Sequence, residues 1–299
     1  MYRFAASSQQ HVYRSGAVRR DIHDWCSGRI AARSAVRAHP AIATSLGPTR
    51  VFSAEGGPGT PVLILPGAVL NTATLLDAVR ALSEDRPVLA ADLPGYPGLS
   101  DSALPSEPRS AAYGAWLDEV LPQVTSQPVI LLGSGAGAAG VLCSTPGPLV
   151  GGVCLVNPAG LVSPGLGARL MGAFLRWRLR PQETTSASLL RLMGAAPAPD
   201  SGDDVLVEWL TLVGRSCHVH TLLPARPLQS EVYHRWAGVP TSVATGSEDP
   251  LFSPYLLDSP ARLFLDTGVQ TLQGAGHLAL HDRPDQIREL LRGFPATVA

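Results

Sequence analysis

Apolar runs of strand length recur along the 299-residue chain. They cover residues 62–65, 88–91, 129–132, 153–156, 239–245 and 269–272. The first four are apolar throughout and do not alternate with polar residues, which is typical of parallel strands buried on both faces of a sheet. The pattern therefore predicts a parallel sheet at the centre of the protein.

Segments with helical spacing of apolar residues separate these runs. The spacing predicts a helix over 75–82 with Asn71 or Thr72 as its cap, another over 106–121, and a last one capped by Asp282. Strands that alternate with helices form folds in which helices cover both faces of the sheet. The predicted fold class is α/β, with a mostly parallel central sheet.

The alternation stops after Asn157 and resumes near Val239. Between them, the spacing predicts three helices, over 166–179, 184–193 and 203–213, and no strand. We therefore expect a core formed by residues 41–160 and 229–299, interrupted by a helical lid (cap) insertion over 161–228.

Residues 1–40 are rich in arginine, serine and alanine but lack the apolar segment of a secretory signal. A transit peptide would have a similar composition. The acidic residues and the helical spacing of Ile22, Trp25 and Ile30 favour a packed N-terminal helical extension instead.

A long uncharged stretch, residues 120–168, could be mistaken for a membrane segment. Four prolines interrupt it, from Pro128 to Pro158, and no twenty consecutive residues are both apolar and compatible with a helix. We expect buried strands joined by a small-residue helix here, and no membrane partner.

All 23 basic residues are arginine, and the chain contains no lysine. This excludes chemistry that needs an ε-amine, such as Schiff-base formation or the lysine of a phosphate-binding loop. The net charge of −1 predicts no attraction to nucleic acid or to an anionic membrane.

The four cysteines lack metal-ligand or redox spacing, and the chain is much longer than a disulfide-stapled scaffold. We expect a reduced, cytoplasmic protein. His218 and His220 would point to different faces of a helix and have no third ligand at useful spacing, so no metal is expected. Nothing in the sequence indicates a cofactor or an oligomeric state.

The strand predicted at 129–132 runs directly into Gly133, Ser134, Gly135, Ala136 and Gly137. A strand that ends in a tight turn and opens a helix is typical of a nucleophile elbow, in which small residues flank the nucleophile. Gly133 and Gly137 occupy those two small positions. The position between them, where a serine is expected, is Gly135.

This turn and four further segments stand in the order that the α/β-hydrolase fold family has. The chain resembles that family from about Thr49 to Phe294. The segments are the strand-end turn 65–68, the loop 92–100, the loop 246–250 and the loop 274–277. Two details depart from the family pattern. Pro66 stands where the family usually has histidine, and the 92–100 loop contains an extra proline.

The resemblance implies a site in which Asp249 orients His277 and the backbone N–H groups of Ala68 and Ala136 form an oxyanion hole. It also implies that Gly135 occupies a degenerate nucleophile position. An alternative register makes Ser134 the nucleophile, but it would place Leu132 where the turn requires a small residue.

A base and an oxyanion hole without a nucleophile suit cofactor-free general-base chemistry on a carbonyl group of a small molecule or peptide. We expect epimerisation, elimination or cyclisation, in the biosynthesis of a specialised metabolite. A non-catalytic binding or scaffold protein is one alternative. Hydrolysis of an ester or peptide through activated water or Ser134 is another, and a deliberate knockout of a serine hydrolase would give the same pattern.

Three side chains are candidates for substrate contact. Asn71 follows the predicted oxyanion turn and is either a helix cap or a pocket residue. Trp177 and Arg176 belong to an arginine-rich strip on the first helix of the insertion, which either faces solvent or attracts a substrate carboxylate.

Overall fold

The computed structural model describes residues 10–194, 205–218 and 226–295. Eight strands within these ranges form one sheet in the order β1-β2-β4-β3-β5-β6-β7-β8. β2 runs antiparallel to both neighbours, and all other adjacent strands are parallel. The strands are β1 (Arg37–Ala38), β2 (Val51–Ala54), β3 (Val62–Leu65), β4 (Val88–Ala91), β5 (Val129–Ser134), β6 (Val150–Val156), β7 (Thr241–Gly246) and β8 (Val269–Leu272).

Helices cover both faces of this sheet. Successive residues of its buried strands point to opposite sides, so each strand packs against helices on both faces. In β3, Val62 and Ile64 pack with α1, α2 and α11, whereas Leu63 and Leu65 pack with α3, α4 and α9. The helices are α1 (Gly16–Ala31), α2 (Leu76–Ser83), α3 (Arg109–Val124), α4 (Ala136–Cys143), α5 (Ala168–Leu179), α6 (Glu183–Leu192), α7 (Val205–Ser216), α8 (Ser230–His234), α9 (Pro254–Leu265), α10 (Ala279–Asp282) and α11 (Pro284–Arg292).

The mostly parallel sheet confirms the predicted fold class, but two predicted helix caps are wrong. Asn71 caps a short 3₁₀ helix, Thr72–Thr74, and α2 begins only at Leu76. Asp282 ends α10, and α11 begins at Pro284, whose fixed backbone angle suits the first helical position. No sequence pattern predicted β1, β2, α8 or α9.

Helices α5, α6 and α7, which we call the inserted helices, lie in the chain between β6 and β7. They pack on one another and contribute Trp177 and Trp209 to the hydrophobic core. The end of α6 contacts the loop after β8, where the backbone N–H of His277 donates to the Met193 carbonyl at 2.8 Å. The lid boundaries at 161 and 228 stay predictions, and residues 195–204 lie outside the described ranges.

The N-terminal region contains a packed helix, as its apolar spacing predicts. In α1, Ile22, Cys26 and Ile30 are buried, and Trp25 stacks on Trp209 of α7 with ring centroids 4.7 Å apart. Within the described residues, no helix is both long and apolar enough to cross a membrane.

Candidate functional site

The turn between β5 and α4 has the backbone of a strand-to-helix elbow. Gly135 stands at its apex with φ 51° and ψ −118°. A Cβ atom on Gly133 would lie 2.6 Å from the Cα of Ala138, and one on Gly137 would overlap the Leu65 carbonyl. Close packing of α4 on β3 and β5 therefore requires glycine on both sides of the apex.

The apex itself has room for a side chain. A Cβ atom added to Gly135 would meet its nearest neighbour, the Cα of Gly67, at an ordinary distance of 3.5 Å. The positive φ, however, costs a residue with a side chain about 1–3 kcal/mol. Glycine removes that strain and leaves open space where a side chain would project.

His277 and Asp249 face each other across the loops that follow β7 and β8. The Nδ1 atom of His277 lies 3.1 Å from Oδ2 of Asp249, whose side chain is fully buried. A carboxylate can only accept, so in neutral His277 the Nδ1 atom carries the proton and Nε2 has the free lone pair. The pair thus has the geometry of a base oriented by an acid.

Three further donors are bonded to the Asp249 carboxylate. The N–H groups of Leu251 and Phe252 donate to Oδ1, and the Asn157 amide donates to Oδ2. The Thr245 hydroxyl lies 3.2 Å from Oδ2, but it donates its single proton to the nearer Phe252 carbonyl, at 2.7 Å. Burial is the largest influence on the Asp249 pKa and raises it, but His277, the N–H of Phe252 and the Asn157 amide together outweigh burial. The pKa therefore lies below its ordinary value, and Asp249 is ionised at neutral pH.

We expect the contribution of Asp249 to stability to depend on pH. Because its native pKa is lowered, this contribution is fully present above the unfolded pKa, about 4, and disappears as the pH falls through the native pKa. Urea unfolding of the wild type and Asp249→Asn should therefore give a difference in unfolding free energy that shrinks below about pH 4. A difference that is constant or grows in acid would contradict the pKa direction.

Asn157, which the sequence analysis did not select, connects three parts of this site. It follows β6 and has a positive φ of 48°, which is uncommon for a residue with a side chain. Its Nδ2 atom donates to Asp249 Oδ2 at 2.7 Å, to Thr245 Oγ1 at 3.1 Å and to the Gly276 carbonyl at 3.1 Å. It therefore holds together the loop that carries Asp249 and the loop that carries His277, and no pattern in the sequence indicates this role.

The backbone N–H groups of Ala68 and Ala136 lie at the same end of the sheet as His277. Ala68, Ala136 and His277 line one cavity, and Ala136 is the first residue of α4. Neither N–H donates to an acceptor in the part of the chain that the structure describes. The N-terminus of a helix also carries a partial positive charge, which favours a developing anion.

The cavity has a volume of ≈ 190 Å³ and lies between the sheet and the inserted helices. Its lining is almost entirely apolar, with Leu170, Phe174 and Leu206 among the contributing residues. The indole N–H groups of Trp177 and Trp209 are bonded to backbone carbonyls. Among the described lining residues, only Ser134 and His277 therefore offer the cavity polar side-chain atoms that are not already bonded within the wall.

The structure brings some predicted site residues together and places others elsewhere. Trp177 and Ser134 line the cavity with His277, but no hydrogen bond joins Ser134 to His277 within the described residues. Asn71 does not line it, because its side chain is bonded to Thr74, Cys26 and Pro97. Arg176 is on the outer side of α5, and its guanidinium donates to a carbonyl of the same helix.

No group of three histidine, cysteine, aspartate or glutamate side chains in the described ranges could hold a metal ion. The backbone N–H of His218 donates to the Val12 carbonyl. His220, the other histidine considered as a ligand, lies outside the described residues.

Several solved structures share this architecture. They include carboxylesterase CesB from Bacillus subtilis (TM-score 0.70, 12% identity, covering 93% of this chain and 98% of that one). Another is naproxen esterase from Bacillus subtilis (TM-score 0.70, 17% identity, 94% and 98%). A serine-to-glycine mutant of the N-acyl homoserine lactonase AidH, complexed with N-hexanoyl homoserine lactone, is also similar (TM-score 0.63, 19% identity, 86% and 97%). At these sequence identities the likeness shows a shared fold alone.

No curated protein matches the chain in sequence. The sequence does match the alpha/beta hydrolase family over residues 62–290, which is most of its length and includes the β5–α4 turn, Asp249 and His277. The chain therefore belongs to the alpha/beta hydrolase family.

Proposed function

We propose that this protein is a cofactor-free general-base enzyme that acts on an apolar carbonyl compound without a serine nucleophile. His277 is the base, Asp249 orients it, and the N–H groups of Ala68 and Ala136 receive the developing oxyanion. Gly135 stands at the position of the missing nucleophile.

One observation carries the proposal. The pair of His277 and Asp249 is hydrogen-bonded at 3.1 Å, and three further donors hold the Asp249 carboxylate, although the turn that the pair faces has glycine at its apex. A base held in this way can work on a proton of the substrate without any nucleophile.

The reaction begins when His277 Nε2 takes a proton from the carbon next to the substrate carbonyl. The electron pair of that C–H bond forms the carbon–carbon double bond of an enolate, and the negative charge moves to the carbonyl oxygen. The two backbone N–H groups stabilise this charge. Return of the proton to the other face gives epimerisation, and loss of a leaving group from the next carbon gives elimination.

The cavity indicates the kind of substrate. A cavity of 150 Å³ lined by apolar residues stays dry and binds benzene. This one, at ≈ 190 Å³, is slightly larger and almost as apolar. It suits a single aromatic ring or a short acyl chain next to the carbonyl, and it keeps water away from the enolate.

Hydrolysis by an activated water is a second candidate, supported by the fold of esterases and a lactonase. The open space at Gly135 could hold the water, and His277 would remove its proton. The complex of a serine-to-glycine mutant of AidH with N-hexanoyl homoserine lactone is a precedent for binding of an acyl lactone by a glycine variant of this fold.

Phenylacetyl and hexanoyl thioesters of N-acetylcysteamine test both candidates in one reaction. In deuterium oxide, we expect the wild-type protein to exchange the protons next to the carbonyl faster than buffer does, with little release of thiol. Proton NMR follows the exchange, and a thiol-reactive dye follows hydrolysis.

The result separates the three possible functions. Thiol release with heavy oxygen from labelled water in the carboxylic acid product, and without exchange, would favour hydrolysis. Binding of the thioesters without either reaction would favour a non-catalytic binding protein. A serine-reactive phosphonate that labels Ser134 would transfer the nucleophilic role to that residue.

A further inference from the structure

The outward face of α5 is unusually apolar. Met171, Leu175 and Leu179 are 44%, 55% and 71% exposed, and their spacing of four residues places them in one stripe along the helix. Leu166, just before the helix, is 57% exposed. A surface helix normally directs its polar side outward, so this stripe is not explained by packing within the chain.

Arginines flank the stripe. Helical spacing places Arg169 and Arg176 on one side of it and Arg178 on the other, and Arg180 follows at the end of the helix. Residues 120–182 contain no acidic residue. In the described part of the chain, no carboxylate lies within 4.0 Å of these four guanidinium groups. This face therefore combines exposed apolar surface with arginines that have no carboxylate partner among the described residues.

The apolar face is continuous with the cavity. Leu166 and Met171 are exposed to solvent and also line the cavity that contains His277. Leu166 and Met171 thus connect the outer surface of α5 to the cavity through apolar side chains. A partner bound to the stripe would therefore lie next to the opening of the cavity.

We propose that the outer face of α5 docks on the surface of an anionic lipid bilayer. A helix with a leucine-rich side bordered by arginines suits the boundary between headgroups and acyl chains, where the apolar side is buried and the cations meet anionic lipids. A second copy of the chain fits poorly, because pairing two such faces brings like charges together.

The net charge of −1 does not predict this contact, because it is a sum over the whole sequence, whereas α5 itself contains arginines and no acidic residue. The proposed contact lies at the surface and requires no helix that crosses the membrane. It is also independent of the reaction proposed for His277, because it concerns binding alone.

Co-sedimentation of the full chain with vesicles tests the proposal. We expect binding to vesicles that mix phosphatidylcholine with phosphatidylglycerol, and much weaker binding to phosphatidylcholine alone. Each arginine near an anionic surface contributes about a fivefold factor in partitioning. A triple variant that combines Arg169→Gln, Arg176→Gln and Arg180→Gln should therefore bind about 100-fold more weakly. Leu175→Glu combined with Leu179→Glu should also remove most of it.

Leu263→Glu is the matched control, because Leu263 is 74% exposed but lies on α9, where the nearby Arg262 is paired with Asp258. This variant should bind vesicles like the wild type. No binding to anionic vesicles would overturn the proposal, as would an equal loss in the Leu263→Glu control. Binding to an acidic polypeptide but not to vesicles, or dimerisation that Leu175→Glu abolishes, would overturn it as well.

Discussion

Replacing Gly135 with serine is expected to convert the protein into an esterase for p-nitrophenyl hexanoate. The new hydroxyl would project into open space beside His277 and the N–H of Ala136. Loss of a triad serine costs about a millionfold in turnover, so even an imperfectly placed serine should raise ester hydrolysis by roughly a thousandfold over the wild type. Initial rates and titration with a serine-reactive phosphonate measure the gain.

The same substitution should also reduce stability. A side chain at φ 51° introduces strain of about 1–3 kcal/mol, which urea unfolding would detect. Gly135→Ala is the matched control, because it has the same backbone strain but no hydroxyl. It should lose similar stability and gain no esterase activity.

A folded Gly135→Ser protein that neither hydrolyses the ester nor reacts with the phosphonate would contradict the assembled site. In that case the hydrogen-bonded pair of His277 and Asp249 would not be competent to activate a nucleophile at the apex, and the binding-protein alternative would gain support.

Replacing His277 with alanine is expected to remove the exchange of protons next to the thioester carbonyl. General-base catalysis contributes about 10²–10⁴-fold, so exchange should fall by that factor towards the rate in buffer. Because the substitution leaves space beside the cavity, added imidazole should restore part of the exchange, with a pH dependence set by imidazole itself.

His281→Ala is the control for this experiment. His281 is a partly buried histidine near Asp282 in the same region of the fold, but it does not line the cavity. Its replacement should leave exchange unchanged. Exchange that survives His277→Ala, or a loss that imidazole does not rescue in a folded variant, would rule out the histidine as the base.

The sheet and the position of the β5–α4 turn could be predicted from the sequence because both depend on local patterns. Strands that are apolar throughout mark burial on both faces, and the bounds of β3, β4 and β8 agree with the predicted runs. Gly133 and Gly137 indicated the turn because a Cβ atom at either position clashes with a neighbouring element.

Other features depend on contacts between distant segments. Asn157 lies 92 residues from Asp249 in the chain, so its hydrogen bond to that carboxylate leaves no local pattern. Asn71 was a candidate for the pocket until the fold showed three partners for its side chain. The exposed stripe of α5 has the same apolar spacing as a buried face, and only the packed structure shows which side is covered.

The hydrogen bond between the N–H of His277 and the Met193 carbonyl couples the position of the base to the position of α6. Gly276 and Gly194 also pack backbone to backbone, with no space for a side chain between them. A movement of α6 large enough to admit a bulky ligand would break this contact and release the histidine loop. Admission of such a ligand and proton transfer would then be separate events in each turnover, with the base in place only after closure.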